Sequence, residues 1–147
     1  MCNDRLHFTR RILFLLIVIL ISIPGPVGAG GVPETDTISG GVWMWQHTRY
    51  NNDTEAIPPD PTHYTMAFNT DGTLNIRVDC NRGGGTYSIA ENRITIEVTH
   101  TTRAMCPPDS LDQTFLKDIN AAGIHFFNED DLYLDLIYDT GTMKFAR

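Results

Sequence analysis

The sequence predicts an α+β fold: a curved antiparallel sheet, or partly open (cracked) barrel, of about eight short strands with one packed helix. Three observations carry this expectation. First, several short runs alternate apolar and polar residues, as in Leu74-Asn75-Ile76-Arg77-Val78 and Ile94-Thr95-Ile96-Glu97-Val98. Successive side chains of a strand point to opposite faces, so this period of two marks strands with one buried face. Second, turn formers stand between the runs, with Asp71-Gly72 and Glu91-Asn92 the clearest. Third, one stretch, residues 110–123, has helical spacing instead. A sheet with one apolar face must cover it, and a single amphipathic helix against a curved sheet does so.

Taken in order, residues 1–29 read as a secretory signal peptide. Arg5, Arg10 and Arg11 supply the positive end, residues 12–23 are apolar except for Ser22, and Val27-Gly28-Ala29 offers a small-residue cleavage site. Spanning a bilayer takes about 20 apolar residues, so the run suits a cleaved signal better than an anchor. No membrane span is expected after cleavage. Residues 30–39 are small, polar and unpatterned, and read as a short leader to a domain over 40–147. Residues 42–46 form the first strand, with Trp43 and Trp45 on one face. The stretch 51–62, rich in proline, acid and asparagine, reads as a mobile loop. Residues 64–68 and 73–78 pair as a hairpin across Asp71-Gly72, because glycine tolerates the positive φ of the turn. Residues 81–85 read as a glycine-rich turn, 86–89 and 93–98 as a second hairpin, and 99–108 as a connector.

The helix follows. Ser110 and Gln113 fit a capping box, Leu111, Phe115, Ile119 and Ala122 share a stripe, and Gly123 is placed to end it. Residues 125–127, 132–136 and 143–145 complete the strands, with turns at Asn128-Glu129-Asp130-Asp131 and Asp139-Thr140-Gly141.

Charge and cysteine content narrow the function classes. Loss of residues 1–29 removes three of the 11 basic and one of the 18 acidic residues, leaving a net charge of −9. Such a surface repels phosphate backbones, which argues against nucleic acid as a partner. The same cleavage removes Cys2 and leaves Cys80 and Cys106. In an oxidising compartment an even pair reads as a disulfide, with two separate buried thiols the alternative. A bridge of this loop size contributes about 3–4 kcal/mol in the chain-entropy picture.

No catalytic constellation stands out, so the chain is expected not to be an enzyme. Asp139-Thr140-Gly141 resembles the triplet of aspartic proteases, but that chemistry needs two aspartates sharing a proton. His47, His63, His100 and His125 stand at no metal-ligand spacing, and no metal or other cofactor is implied. Trp43, Trp45 and Phe115 read first as core, with a ligand-facing role as the functional alternative.

At Cys80-Asn81-Arg82-Gly83-Gly84-Gly85-Thr86-Tyr87 the sequence resembles the META domain family, which carries Cys-Asn, a short gap and Gly-x-Tyr. A threonine-rich segment ending in cysteine follows in that family, here Thr101-Thr102-Arg103-Ala104-Met105-Cys106. The family-motif positions are therefore Asn81, Gly85, Tyr87, Thr101 and Thr102. An early tryptophan strand, Phe68 with Asp71-Gly72, a helix with Phe115 and Leu116, Leu132-x-Leu134 and Met143-x-Phe145 fall in matching order. The resemblance implies a cracked barrel with a helix, similar to lipid-binding pilot proteins of secretion systems. It also implies an exported, periplasmic or secreted protein with a role in envelope stress or assembly. Many members are lipoproteins, yet here no lipid-acceptor cysteine follows the apolar run. The expected function is non-enzymatic binding of an envelope or extracellular protein. Two alternatives stand beside it: a carrier of lipid or another small apolar ligand in the barrel interior, and a secreted hydrolase inhibitor presenting the 51–62 loop.

The cysteine argument gives a chemical test. The native exported chain should show no thiol reactive to an alkylating reagent until it is reduced, whereas labelling of Cys80 and Cys106 without reduction would defeat the expected bridge.

Overall fold

A computed structural model describes residues 38–147. The expected signal segment and the leader up to residue 37 lie outside the described residues. Nine strands and one helix follow in the order β1 (Val42–Tyr50), β2 (Glu55–Ala56), β3 (Tyr64–Phe68), β4 (Thr73–Val78), β5 (Asn81–Ala90), β6 (Arg93–Thr101), α1 (Asp112–Asn120), β7 (Ala122–Asn128), β8 (Asp131–Leu136) and β9 (Gly141–Ala146). All pairings between these strands are antiparallel. Their spatial order runs β2-β1-β3-β4-β5-β6-β7-β8-β9, and β1 also pairs with β9 from Met44↔Ala146 to Tyr50↔Gly141. The first long strand and the last therefore close the sheet on itself.

The closure is uneven. Most joints are long ladders, such as β5–β6 from Gly83↔Thr101 to Ala90↔Arg93. The β6–β7 joint is one pair, Arg93↔Ile124. Past it β6 continues one way to Thr101 and β7 the other way to Asn128. This is the crack that the expected architecture anticipates. On the β6 side α1 fills it. The Asn120 Oδ1 accepts the Val98 N–H at 3.1 Å, and its Nδ2 donates to the Leu116 carbonyl at 2.8 Å. A helix side chain thus takes the place of the missing strand at a backbone donor that would otherwise lack a partner.

The interior is aromatic. Trp43, Trp45, Phe115 and Phe145 are buried. Phe115 brings α1 onto the sheet, with ring centroids 5.2 Å from Trp45, 5.7 Å from Tyr64 and 6.3 Å from Phe145. Both indole N–H groups find acceptors, Trp43 at the Ile38 carbonyl (2.7 Å) and Trp45 at the Thr48 Oγ1 (3.1 Å). A register shift between Trp45 and His47 changes the phase of β1, so that Thr48 turns inward with the tryptophans.

Several sequence expectations are corrected. Ile38, assigned to the leader, is buried in the core. The 51–62 stretch is tied down: Glu55–Ala56 pairs with Thr48 and Arg49. Asn52 Oδ1 also accepts from the Thr54 N–H and hydroxyl, and Asp60 caps the one-turn 3-10 segment Pro61–His63. Residues 81–85 are strand rather than turn, and the chain reverses earlier, at Asp79-Cys80, with Asp79 at φ 54°. β6 runs on to Thr101, so the connector is shorter. The capping box does not form. Ser110 Oγ accepts the Asp112 N–H, while Gln113 donates to the Asp112 carboxylate instead. The helix ends at Asn120 and Gly123 lies within β7. A strand starting immediately after the helix overrode the usual glycine stop.

Gly85 shows why the glycine run belongs in a sheet. The ladder shifts register between Gly84 and Gly85, and a Cβ at Gly85 would collide with the Glu97 carbonyl oxygen. Gly85→Ala should destabilise the domain by about 1–3 kcal/mol, the usual cost of forcing a methyl into packed backbone. The urea midpoint reads this directly, and an unchanged midpoint would refute the close approach.

Candidate functional site

Among the described residues, the side of the crack that α1 leaves unfilled forms the most distinctive surface feature. β7 pairs with β8 along its whole length, from Ala122↔Leu136 to Asn128↔Asp131, but it overshoots the β5–β6 hairpin on its other edge. The two-residue turn Glu129-Asp130 makes Asn128↔Asp131 and Phe126↔Tyr133 hydrogen-bonded pairs, and His125 and Phe127 occupy the alternate positions. Their backbone groups face away from β8. The His125 N–H accordingly reaches the Asn92 carbonyl at the hairpin tip, at 2.8 Å. Phe127 lies beyond that tip, and no strand among the described residues stands opposite it.

A hollow of about 520 Å³ runs along this edge, walled by Ile38, Ile89 and Phe127 and rimmed by Glu91, Asn92 and His125. Phe126 and Ile124, on the outer face of β7, are each 40 % exposed. Phe126 stacks on Tyr133 with centroids 5.1 Å apart. Lys144 crosses over Tyr133 and pairs with Asp131 at 2.8 Å. The edge could have been anticipated only from the pairing, because His125-Phe126-Phe127 reads like any other short strand.

The sequence-derived candidates fall elsewhere. Trp43, Trp45 and Phe115 lie inside the domain, with the Arg147 guanidinium 4.3 Å above the Trp43 ring. Of the motif positions, Asn81, Thr101 and Thr102 gather near the bridge, whereas Gly85 and Tyr87 lie further along β5. Cys80 and Cys106 form a disulfide. Asn81, buried beside it, donates through Nδ2 to the Ala104 carbonyl and the Cys106 Sγ, both at 3.2 Å. Its Oδ1 accepts from Thr102 Oγ1 at 2.8 Å and Ala104 N at 2.7 Å. Thr102 Oγ1 in turn accepts the Arg82 N–H at 3.0 Å. Thr101 pairs with Gly83, and Tyr87 donates its hydroxyl to the Asn69 carbonyl at 2.7 Å. Asn81, Thr101 and Thr102 fasten the connector after β6 to the start of β5. They also wall a second, more polar hollow with Gln113 and Leu116.

Sequence reasoning missed one buried carboxyl. Asp118 is 2 % exposed, sits between Phe115 and Ile119 on α1, and accepts from the Tyr50 hydroxyl at 2.7 Å. Thr48 also bonds it. Burial pushes the Asp118 carboxyl up, against the opposing pull of these hydrogen bonds. Burial and the neighbouring carboxyl likewise push the Tyr50 hydroxyl up. A charged residue inside an apolar helical stripe was the available signal. Because the folded state holds the Asp118 proton more tightly than the unfolded chain does, ionisation weakens the fold at neutral pH. That penalty is relieved as pH falls through the raised value toward the ordinary carboxyl value. The native domain should therefore gain stability relative to Asp118→Asn on acidification, measured as paired urea midpoints; a pH-independent gap would contradict the raised carboxyl.

Among the described residues no helix is long and apolar enough to cross a membrane, and no cluster of three or more His, Cys, Asp or Glu side chains could hold a metal. Comparison with curated proteins gives no match. Six chains among the solved structures match, and two of them illustrate the shared fold. An NMR structure of a protein from Burkholderia xenovorans matches with a TM-score of 0.61 at 18 % identity, covering 85 % of this chain and 98 % of that one. A crystal structure of a DUF4847 family protein from Bacteroides vulgatus matches with a TM-score of 0.54 at 18 % identity, covering 74 % of this chain and 93 % of that one. The META domain family model matches residues 36–147. That span takes in every strand, the helix and the disulfide, and on it the chain belongs to the META domain family.

Proposed function

We propose that this META domain works outside the cytoplasm as a non-enzymatic binding module, in an envelope-stress or assembly role, and engages a protein partner at the open edge of β7. The observation that carries this reading is the apolar hollow beside Phe127, a strand edge with no neighbouring strand among the described residues, in a sheet whose other long joints are closed. Unpaired edges invite another chain, and folded domains ordinarily cover or charge them. Export is supported by the Cys80–Cys106 bridge, since such bridges persist in oxidising compartments. The packing of Trp43, Trp45, Phe115 and Phe145 in the interior weighs against an internal ligand carrier.

A photo-reactive amino acid placed at Phe126 should cross-link in the living source cell to a defined extracytoplasmic protein, and Ile89→Lys should abolish the cross-link. The same probe at Ile57, exposed in the 51–62 loop, should give none. Cross-linking from Ile57 alone would favour the hydrolase-inhibitor alternative, and silence at both positions would overturn the reading.

A further inference from the structure

We infer that the occupant of the groove is an extended basic peptide segment that adds as a strand to the free edge of β7; this rests on the binding reading above and gives the partner its chemistry. Three features point to it. The first is the backbone. Phe127 lies at a non-hydrogen-bonded position of the β7–β8 ladder, so its N–H and C=O are directed into the groove, where another extended backbone meets both. A helix or an acyl chain cannot offer that alternating donor and acceptor. The second is the wall. Ile38, Ile89 and Phe127 form one apolar side of the groove. An added strand places every second side chain toward them and the intervening ones toward solvent.

The third is charge. Glu91 stands on the rim, and Glu129 and Asp130 form the turn directly after the last residue of β7. Arg147 lies over Trp43 and Lys144 pairs with Asp131, while the exposed Arg93 lines a separate hollow with Ile124 and Asp135. With the chain as a whole at −7, the groove favours an incoming segment that alternates apolar and basic residues. Among the described residues only three residues of edge, Phe126 to Asn128, lie past the His125–Asn92 contact, roughly 10 Å of strand, so the contact is short.

The test uses the exported chain with its disulfide intact and follows backbone amides by NMR and hydrogen exchange. The probe is a synthetic octapeptide alternating valine and lysine. Two controls accompany it: a valine–glutamate counterpart, and a valine–lysine peptide N-methylated on alternate residues. The valine–lysine peptide should slow exchange of the Phe127 amide and concentrate shift changes on β7 and the β5–β6 tip. The glutamate and N-methylated peptides should bind at least about tenfold more weakly. Glu91→Lys should reverse the preference between lysine and glutamate peptides.

Equal binding of the N-methylated peptide would overturn strand addition. Protection of Phe127 without peptide that rises with protein concentration would assign the edge to a second copy, and concentration-independent protection would assign it to this chain itself. Either result overturns the inference. Should cross-linking from position 126 succeed while the valine–lysine peptide fails to bind, the groove would stand as a binding site and the basic-strand occupant would fall.

Discussion

The single backbone pair between Arg93 and Ile124 is the constraint around which the domain is organised. A ring of antiparallel strands loses its edges only if every neighbour is paired along its length. Here two strands meet at one point and part, leaving backbone exposed in two directions. On one side the chain supplies its own cover: α1 lies against β6 and Asn120 takes up the Val98 N–H. On the other side β7 runs past the hairpin, and no strand among the described residues pairs with Phe127 there. The helix, the aromatic core under it and the groove are three outcomes of one incomplete joint.

The core and the disulfide act on different parts of this arrangement. Phe115 and Ile119 bring α1 down onto Trp45, Tyr64 and Phe145, which closes the interior. The bridge and Asn81 act earlier in the chain, on the connector that carries β6 into the helix. Fixing that connector shortens the search for the helix's docking position, because loop closure is an entropic cost that grows with free length. Asp118 is the exception inside the helix: a carboxyl kept near the core by Tyr50 and Thr48, and so a polar pin between α1 and β1.

Much of the fold was legible because most strands follow the period of two, and because Asp71-Gly72 and Glu91-Asn92 are strong local signals. The helix was legible from Phe115 and Ile119. What misled was glycine. Residues 83–85 read as a turn in isolation, yet they are strand because β4 and β6 approach too closely for side chains. Gly123 read as a helix stop and proved to be a strand residue. Both errors have one cause, since glycine's tolerance of unusual backbone and its tolerance of close neighbours look alike in a sequence. The groove was less accessible still. A free edge is the absence of a neighbour, and no residue of β7 encodes where β6 stops.

The pairing of β1 with β9 also bears on when the domain can exist. A chain that emerges from its N-terminus displays Trp43 and Trp45 long before Phe145 is available to cover the same interior. The two halves of the sheet can form local hairpins as they appear, but the ring waits for its final strand. Until then the apolar interior lacks its full cover, the condition in which a chain is slow to finish folding and prone to association. The geometry of one strand pair thus delays completion until the last few residues arrive.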